Sequence, residues 1–235
     1  MKIAFLTIAT NKYNIFADIL SKSLDKYCKL LNFDLFVFGN SELSYKPLNF
    51  NIHTHYITHT PHPVGTLLRY NYYLEKKNEL EQYDYLYHID CDMQLVSNVG
   101  DEILGDRVCT LHPGWFLRHD IESFEYDRNP TCKAFVDVKD PRVKPGCMYQ
   151  NCFQGGNSHE FIKMASSIRN DCEIDLRNNI VARWHDESYM NKYMLDNPPT
   201  KLLSPGYAYP EKWNLQVEKK IVHLDKDHLN IRKSD

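Results

Sequence analysis

Three short runs in the first ninety residues, KIAFLTIA (2–9), FDLFVFG (33–39) and DYLYHID (84–90), are predominantly apolar or aromatic between their ends. Strands without a polar face are buried on both sides, which requires a sheet with other layers above and below it. The intervening stretches fit that requirement. From Tyr13 to Leu31, the residues Ile15, Phe16, Ile19, Leu20, Leu24 and Tyr27 keep a helical period. NIHTHYI (51–57) alternates as a third strand, and a second helix is expected from about Leu67 to Glu81. Strand–helix alternation of this kind predicts an α/β sheet with a nucleotide-sized crevice at its strand ends.

The second half is less regular. RVCTLHP (107–113) reads as a strand, followed by a loop-rich stretch with Pro130, Pro141 and Pro145. Helices are expected at about Ser158–Ile168 and over WHDESYMNKYML (184–195). No linker or repeat interrupts the chain, so one mixed α/β domain is the simplest organisation. Of its 235 residues 43% are apolar, enough for a sizeable core, and the net charge of −3 gives no electrostatic case for nucleic acid or an anionic membrane. No apolar run approaches the length of a membrane span, and the N-terminus reads as a first strand, not a signal peptide. Seven cysteines without a CxxC pair predict reduced thiols in a cytoplasmic, soluble protein.

The strand YDYLYHIDCDMQL (83–95) runs directly into two carboxylates, Asp90 and Asp92. At the carboxyl end of a sheet they can jointly hold a hard divalent cation and through it a diphosphate. A solvated acidic turn is the plainer explanation, and a haloacid-dehalogenase phosphatase with Asp90 as nucleophile is a third. In WHDES (184–188), Asp186 and Ser188 could simply cap a helix, but Trp184, His185 and Glu187 are then unexplained. His53, His55, His59 and His62 lack helical i, i+4 spacing and a cysteine partner, and read as a partly solvated strand and loop.

Five blocks in this order, YLYHIDCDM with NVGDEIL (98–104), TLHPGWF (110–116), FEYDRNP (124–130), WHDES-x-x-NKY (184–193) and PTKLLSP (199–205), resemble the histo-blood-group A/B and α-1,3-galactosyltransferase family, glycosyltransferase family 6. LTIATNKY (6–13) and Arg69 match more loosely. The resemblance implies a GT-A fold, with about residues 1–95 binding UDP and about 96–235 binding the acceptor. It also implies retaining transfer of galactose or N-acetylgalactosamine from a UDP-sugar to a galactoside. The mammalian members carry an N-terminal anchor, whereas this chain starts at the first catalytic strand and is similar to the soluble microbial or viral members, without a membrane anchor.

Carried over residue by residue, Asp90 and Asp92 match the DxD pair that holds Mn²⁺, with Mg²⁺ a possible substitute. Many bacterial relatives have asparagines there and work without metal; this chain retains both acids. Tyr13 matches an aromatic that stacks on uracil, with Ile8, Ala9 and Thr10 as the nearby wall, and Arg69 an arginine near donor sugar and diphosphate. His112, Trp184 and His185 fall on the acceptor side, and Asp186 corresponds to a carboxylate that binds the donor hexose. Glu187 is the expected catalytic carboxylate. Lys226 and Arg232 match basic residues that close over the diphosphate; a frayed polar tail is the alternative. Gln150 and Cys152 occupy the positions that set galactose against N-acetylgalactosamine, and Cys152, larger than glycine, favours a plain hexose. Pro210 stands where relatives have an acidic acceptor contact, and Glu211 follows. A sugar-binding protein without catalysis remains as an alternative, opposed by the intact Glu187, Asp90 and Asp92.

Overall fold

The computed structural model describes residues 1–227 and Ile231. Arg232, one of the expected diphosphate contacts, lies outside the described residues. The chain opens with strand β1 (Ile3–Ala9), a 3-10 turn at Asn11–Tyr13 and helix α1 (Asn14–Tyr27). Strands β2 (Phe33–Gly39) and β3 (Asn51–Tyr56) follow. The expected helix at 67–81 is instead three short segments, α2 (Val64–Leu67), α3 (Arg69–Glu75) and α4 (Lys77–Leu80). Next come β4 (Tyr85–Ile89), β5 (Met93–Leu95) and β6 (Arg107–Leu111). The remainder comprises β7 (Tyr149–Asn157), α5 (Ser158–Arg177), α6 (Asp186–Asp196), β8 (Lys201–Leu203), β9 (Tyr209–Pro210) and β10 (Ile221–His223).

Seven strands form one sheet in the order β3-β2-β1-β4-β7-β6-β8, and β5-β10-β9 form a small second sheet. All neighbours in the large sheet are parallel except β7, which runs against both β4 and β6. Alternation along β1 sends Ile3 and Phe5 into one core with α1, and Ala4 and Leu6 into another with α3, α5 and α6. The two-sided burial inferred from the apolar runs is therefore a layered α/β architecture of the GT-A type. A smaller cluster of Phe124, Tyr126, Val136, Val143 and Met148 organises the loop-rich stretch.

Strand β7 departs from expectation: YQNCFQGG carries polar groups and two glycines, yet it is a central strand. The glycines are a packing requirement. A Cβ on Gly155 would lie 2.2 Å from the Leu86 carbonyl oxygen, and one on Gly156, at φ +147°, 1.9 Å from that of Asp106. Strand order reverses between β1 and β4, since β2 and β3 extend one way and β4 the other. Ligands of open α/β sheets bind at such a switch point, beyond the strand carboxyl ends. Thr10 and Asp90 stand there.

Candidate active site

A cleft of about 250 Å³ opens at this switch point. Ile8, Thr10 and Tyr13 form one wall; Arg69, Asp90, Asp92 and Lys226 form the charged end. The loop before α2 supplies the opposite wall with His59, Thr60 and His62, joined by Thr66 of α2 itself. Ala9 is fully buried in the core instead. The histidines thus separate by task. His53 and His55 stack on Phe36 in the sheet, His59 Nδ1 meets Thr10 Oγ1 at 2.7 Å, and His62 packs edge-on against His185 with ring centres 4.7 Å apart.

At the charged end one guanidinium joins three groups. Arg69 Nη2 donates to Asp90 Oδ1 at 2.9 Å, and Nη1 reaches Asp186 Oδ2 at 2.9 Å and His88 Nε2 at 2.6 Å. Burial would lower the basicity of Arg69, but Asp186 and Asp90 outweigh it and raise the pKa. Burial, then Arg69, push His88 down to about 4, so its ring is neutral. A neutral ring accepting from Arg69 at Nε2 has its proton on Nδ1, facing the Tyr73 hydroxyl at 2.8 Å, which in turn reaches the Leu6 carbonyl at 3.3 Å. Burial would raise Asp90; the Arg69 guanidinium overcomes it and holds the carboxyl well below its usual range.

The chain enters α6 through His185 at φ 51°, ψ −129°, a conformation L-residues rarely adopt. Such outliers persist where surrounding structure enforces them, commonly at functional sites. Here it delivers Asp186 and Glu187 on the first helical turn to β7. Asn151 Nδ2 donates to Asp186 Oδ2 at 2.7 Å. The Asn151 N–H and Gln150 Nε2 both donate to Glu187 Oε2 at 2.9 Å. Burial pushes Glu187 up to about 8, with the Asn151 N–H opposing, and Asp186 up to about 6, with Arg69 opposing.

The remaining expected residues surround this core. Trp184 is 45% exposed and borders a narrow gap with Glu187, Tyr126 and Met148. The His112 N–H donates to the Met148 carbonyl at 3.0 Å, so His112 belongs to the same side. Its ring stacks edge-on against Trp115, and burial pushes its pKa down to about 4. Cys152 is buried in the core beneath the cleft, and its carbonyl accepts from the Asp90 N–H at 2.9 Å. Glu211 accepts from the Asp225 N–H at 2.8 Å. The sequence reading did not assign His88 or Asn151. The signal for both was a polar residue inside an otherwise buried strand.

The donor set fits a hard cation. Among the described residues the side-chain contacts of Asp90 fall on Oδ1, and those of Asp92 fall on Oδ2, from His223 at 3.2 Å and Lys226. Asp90 Oδ2 and Asp92 Oδ1 remain as hard oxygen donors. Among the described residues no group of three His, Cys, Asp or Glu side chains could hold a metal ion by itself. That suits a metal held by one or two carboxylates together with substrate phosphates. No helix among the described residues is long and apolar enough to cross a membrane.

Comparison with known proteins agrees with this geometry. Residues 69–233 match the profile of Glycosyltransferase family 6. The chain is 30% identical to the O-antigen biosynthesis glycosyltransferase WbnI of Escherichia coli, over 99% of this chain and all of the relative. It is 39% identical to histo-blood group ABO system transferase 1 of Rattus norvegicus, over 63% of this chain and 42% of that protein. It is 29% identical to globoside alpha-1,3-N-acetylgalactosaminyltransferase 1 of Gallus gallus, over 63% of this chain and 43% of the relative. The chain thus spans less than half the length of these animal relatives. From its order of motifs, its sheet and its matched length, the chain belongs to glycosyltransferase family 6.

Proposed function

We propose that this transferase takes galactose or N-acetylgalactosamine from a UDP-sugar and joins it, with retained configuration, in α-1,3 linkage to a galactoside or oligosaccharide acceptor. The observation that carries the reading is the position of Glu187. Its carboxylate is fixed by β7 next to Asp186, which Arg69 links to Asp90 at the charged end of the cleft, and it lines a narrow gap together with the exposed Trp184 ring. The α-1,3 linkage and the aminosugar alternative draw support from the name of the globoside relative.

In this reading Tyr13 stacks on the base, with Ile8 and Thr10 beside it. Arg69 orients both Asp90 and Asp186, and Asp186 takes hydroxyls of the donor hexose. Asp90 and Asp92 hold Mn²⁺, or Mg²⁺ in its place; when bound, the cation neutralises charge gathering on the departing UDP. Lys226, already in the cleft wall, adds a second cation there. Glu187 faces the anomeric carbon, where a carboxylate either attacks it or stabilises an oxocarbenium-like state while the acceptor approaches from the same face. Trp184 and His112 seat the acceptor galactose. Cys152, larger than glycine, favours a plain hexose, and Cys152→Gly shifts use toward UDP-N-acetylgalactosamine.

A phosphohydrolase would need Asp90 as its nucleophile, yet Asp90 Oδ1 is committed to Arg69, and Glu187 would have no task. A screen of UDP-sugars for acceptor-free hydrolysis tests the proposal. Slow release of UDP with Mn²⁺, abolished by EDTA, is expected. Release of phosphate without UDP, or activity unchanged in EDTA, contradicts it.

A further inference from the structure

Trp213, the last tryptophan of the chain, is 50% exposed. A single exposed apolar side chain is ordinary on a protein surface, so its placement and its support decide whether it has a task. Placement comes first. Trp213 lies on the loop that leaves β9, whose final residue Pro210 pairs with His223 of β10. His223 in turn reaches Asp92 at 3.2 Å, so the loop begins beside the acidic pair. It then runs to the acceptor side. A Cβ built on Gly114 would meet the His112 ring at 3.4 Å and Trp213 Cη2 at 3.9 Å. Gly114 is therefore a bare step between two rings. The contacts continue toward the reacting carbon: the His112 N–H donates to the Met148 carbonyl at 3.0 Å, and Met148 lines the gap shared by Glu187 and Trp184. Trp213 stands one step farther out on that line.

Support is the second observation. The Trp213 N–H donates to the Pro210 carbonyl at 3.0 Å. The hydroxyl of the buried Tyr209 donates to the Trp213 carbonyl at 3.1 Å and accepts from the Leu215 N–H at 2.7 Å. A rigid ring with two side-chain torsions on a braced backbone loses little freedom when it binds. Charge is the third. Both charged side chains of the loop are engaged at Asp225, Glu211 with its N–H at 2.8 Å and Lys212 with its carboxylate at 2.5 Å. What the loop offers a ligand is the indole.

We propose that Trp213 is a stacking platform for the second sugar of the acceptor, the one to which the accepting galactose is joined. The enzyme then takes a galactosyl disaccharide or a longer chain in preference to a lone galactoside. The inference rests on the galactoside acceptor already proposed. A pyranose has C–H groups on its faces and hydroxyls round its edge. Laid on an indole, it covers apolar area and leaves its hydroxyls in water, which suits a half-exposed ring. Trp184 seats the galactose beside Glu187, and Trp213 holds the next residue beyond His112.

Transfer from the UDP-sugar in Mn²⁺ buffer is measured with methyl galactoside, hexyl galactoside and a set of galactosyl disaccharides, each as both anomers. Wild type is expected to give at least one disaccharide a KM about tenfold or more below that of methyl galactoside. Trp213→Ala is expected to erase that ratio, and Trp213→Phe to retain most of it. The ratio is the readout because a merely structural loss moves both acceptors together. No disaccharide advantage in wild type, or its survival in Trp213→Ala, overturns the platform. An advantage for hexyl galactoside alone overturns the sugar in favour of an apolar aglycone. Release of UDP without transfer to any galactoside overturns the proposed acceptor itself, and this inference with it.

Discussion

The backbone N–H of Asn151 donates to Glu187 Oε2 at 2.9 Å, so a sheet strand holds the carboxylate that a strained helix start presents. This bond and the amide of Gln150 aim an acid whose surroundings resist its ionisation, since burial pushes Glu187 up to about 8.

The pH dependence follows from that shift. Ionised Glu187 is the form that can face a cationic anomeric carbon, so kcat/KM rises with pH and levels off above about 8. A flat profile across the neutral range contradicts this. Stability has the opposite slope. With a folded pKa above the ordinary 4.5, the native state binds more protons than the unfolded state between 4.5 and about 8, and stability falls as pH rises through that window. Glu187→Gln flattens the decline, which thermal unfolding at the two ends of the window detects.

Arg69 neutralises two buried acids at once. Arg69→Met leaves Asp90 and Asp186 uncompensated, and urea unfolding at neutral pH should show a loss of about 3–5 kcal/mol. The loss shrinks as pH falls toward about 6, because without Arg69 the buried Asp186 takes up its proton at a higher pH than in wild type. Arg69→Lys retains the charge but cannot reach Asp90, Asp186 and His88 together, so it recovers part of the stability and little of the transfer rate.

Much of this layout was legible in the sequence because β1, β2 and β4 are buried on both faces and so read as predominantly apolar runs. The DCD turn was legible for the same reason, as charge placed directly after a buried strand. Strand β7 was not, because its polar side chains serve the site: Asn151 and Gln150 bind Asp186 and Glu187, and Gly155 and Gly156 make room for neighbouring backbone. Helix α5 runs beyond Ile168 to Arg177, continuing its buried face through Cys172 and Asp175, the latter satisfied by Tyr189 and the Lys133 N–H. Neither Gly nor Pro marks the breaks at Leu68 and Lys76 that divide the expected helix at 67–81. The pairing of His223 with Asp92 depends on β10 meeting β5 across the chain, which no local pattern announces.

Trp184 offers an exposed ring beside Glu187. Trp184→Ala should raise the acceptor KM by about tenfold or more, the scale of a lost aromatic contact of 1–3 kcal/mol, while acceptor-free hydrolysis of the UDP-sugar changes little. Equal loss of both activities would remove Trp184 from the acceptor side.

The Lys226 ammonium rests on Asp92, one of the two carboxylates proposed to hold the cation, so the two would compete there. Lys226→Ala should therefore tighten Mn²⁺ binding measured without nucleotide and weaken UDP binding measured with Mn²⁺ present. Calorimetric titrations giving the same sign for both contradict the exchange of Lys226 between Asp92 and the diphosphate.

The most direct measurement compares wild type with Glu187→Gln for turnover of the UDP-sugar and for UDP affinity in the same Mn²⁺ buffer. Glutamine retains the acceptor oxygen for Asn151 and Gln150 but not the negative charge. The account predicts turnover lower by two or more orders of magnitude, with UDP affinity nearly unchanged. A mild loss of turnover, or a parallel collapse of UDP binding, would contradict the placement of Glu187 at the reacting carbon.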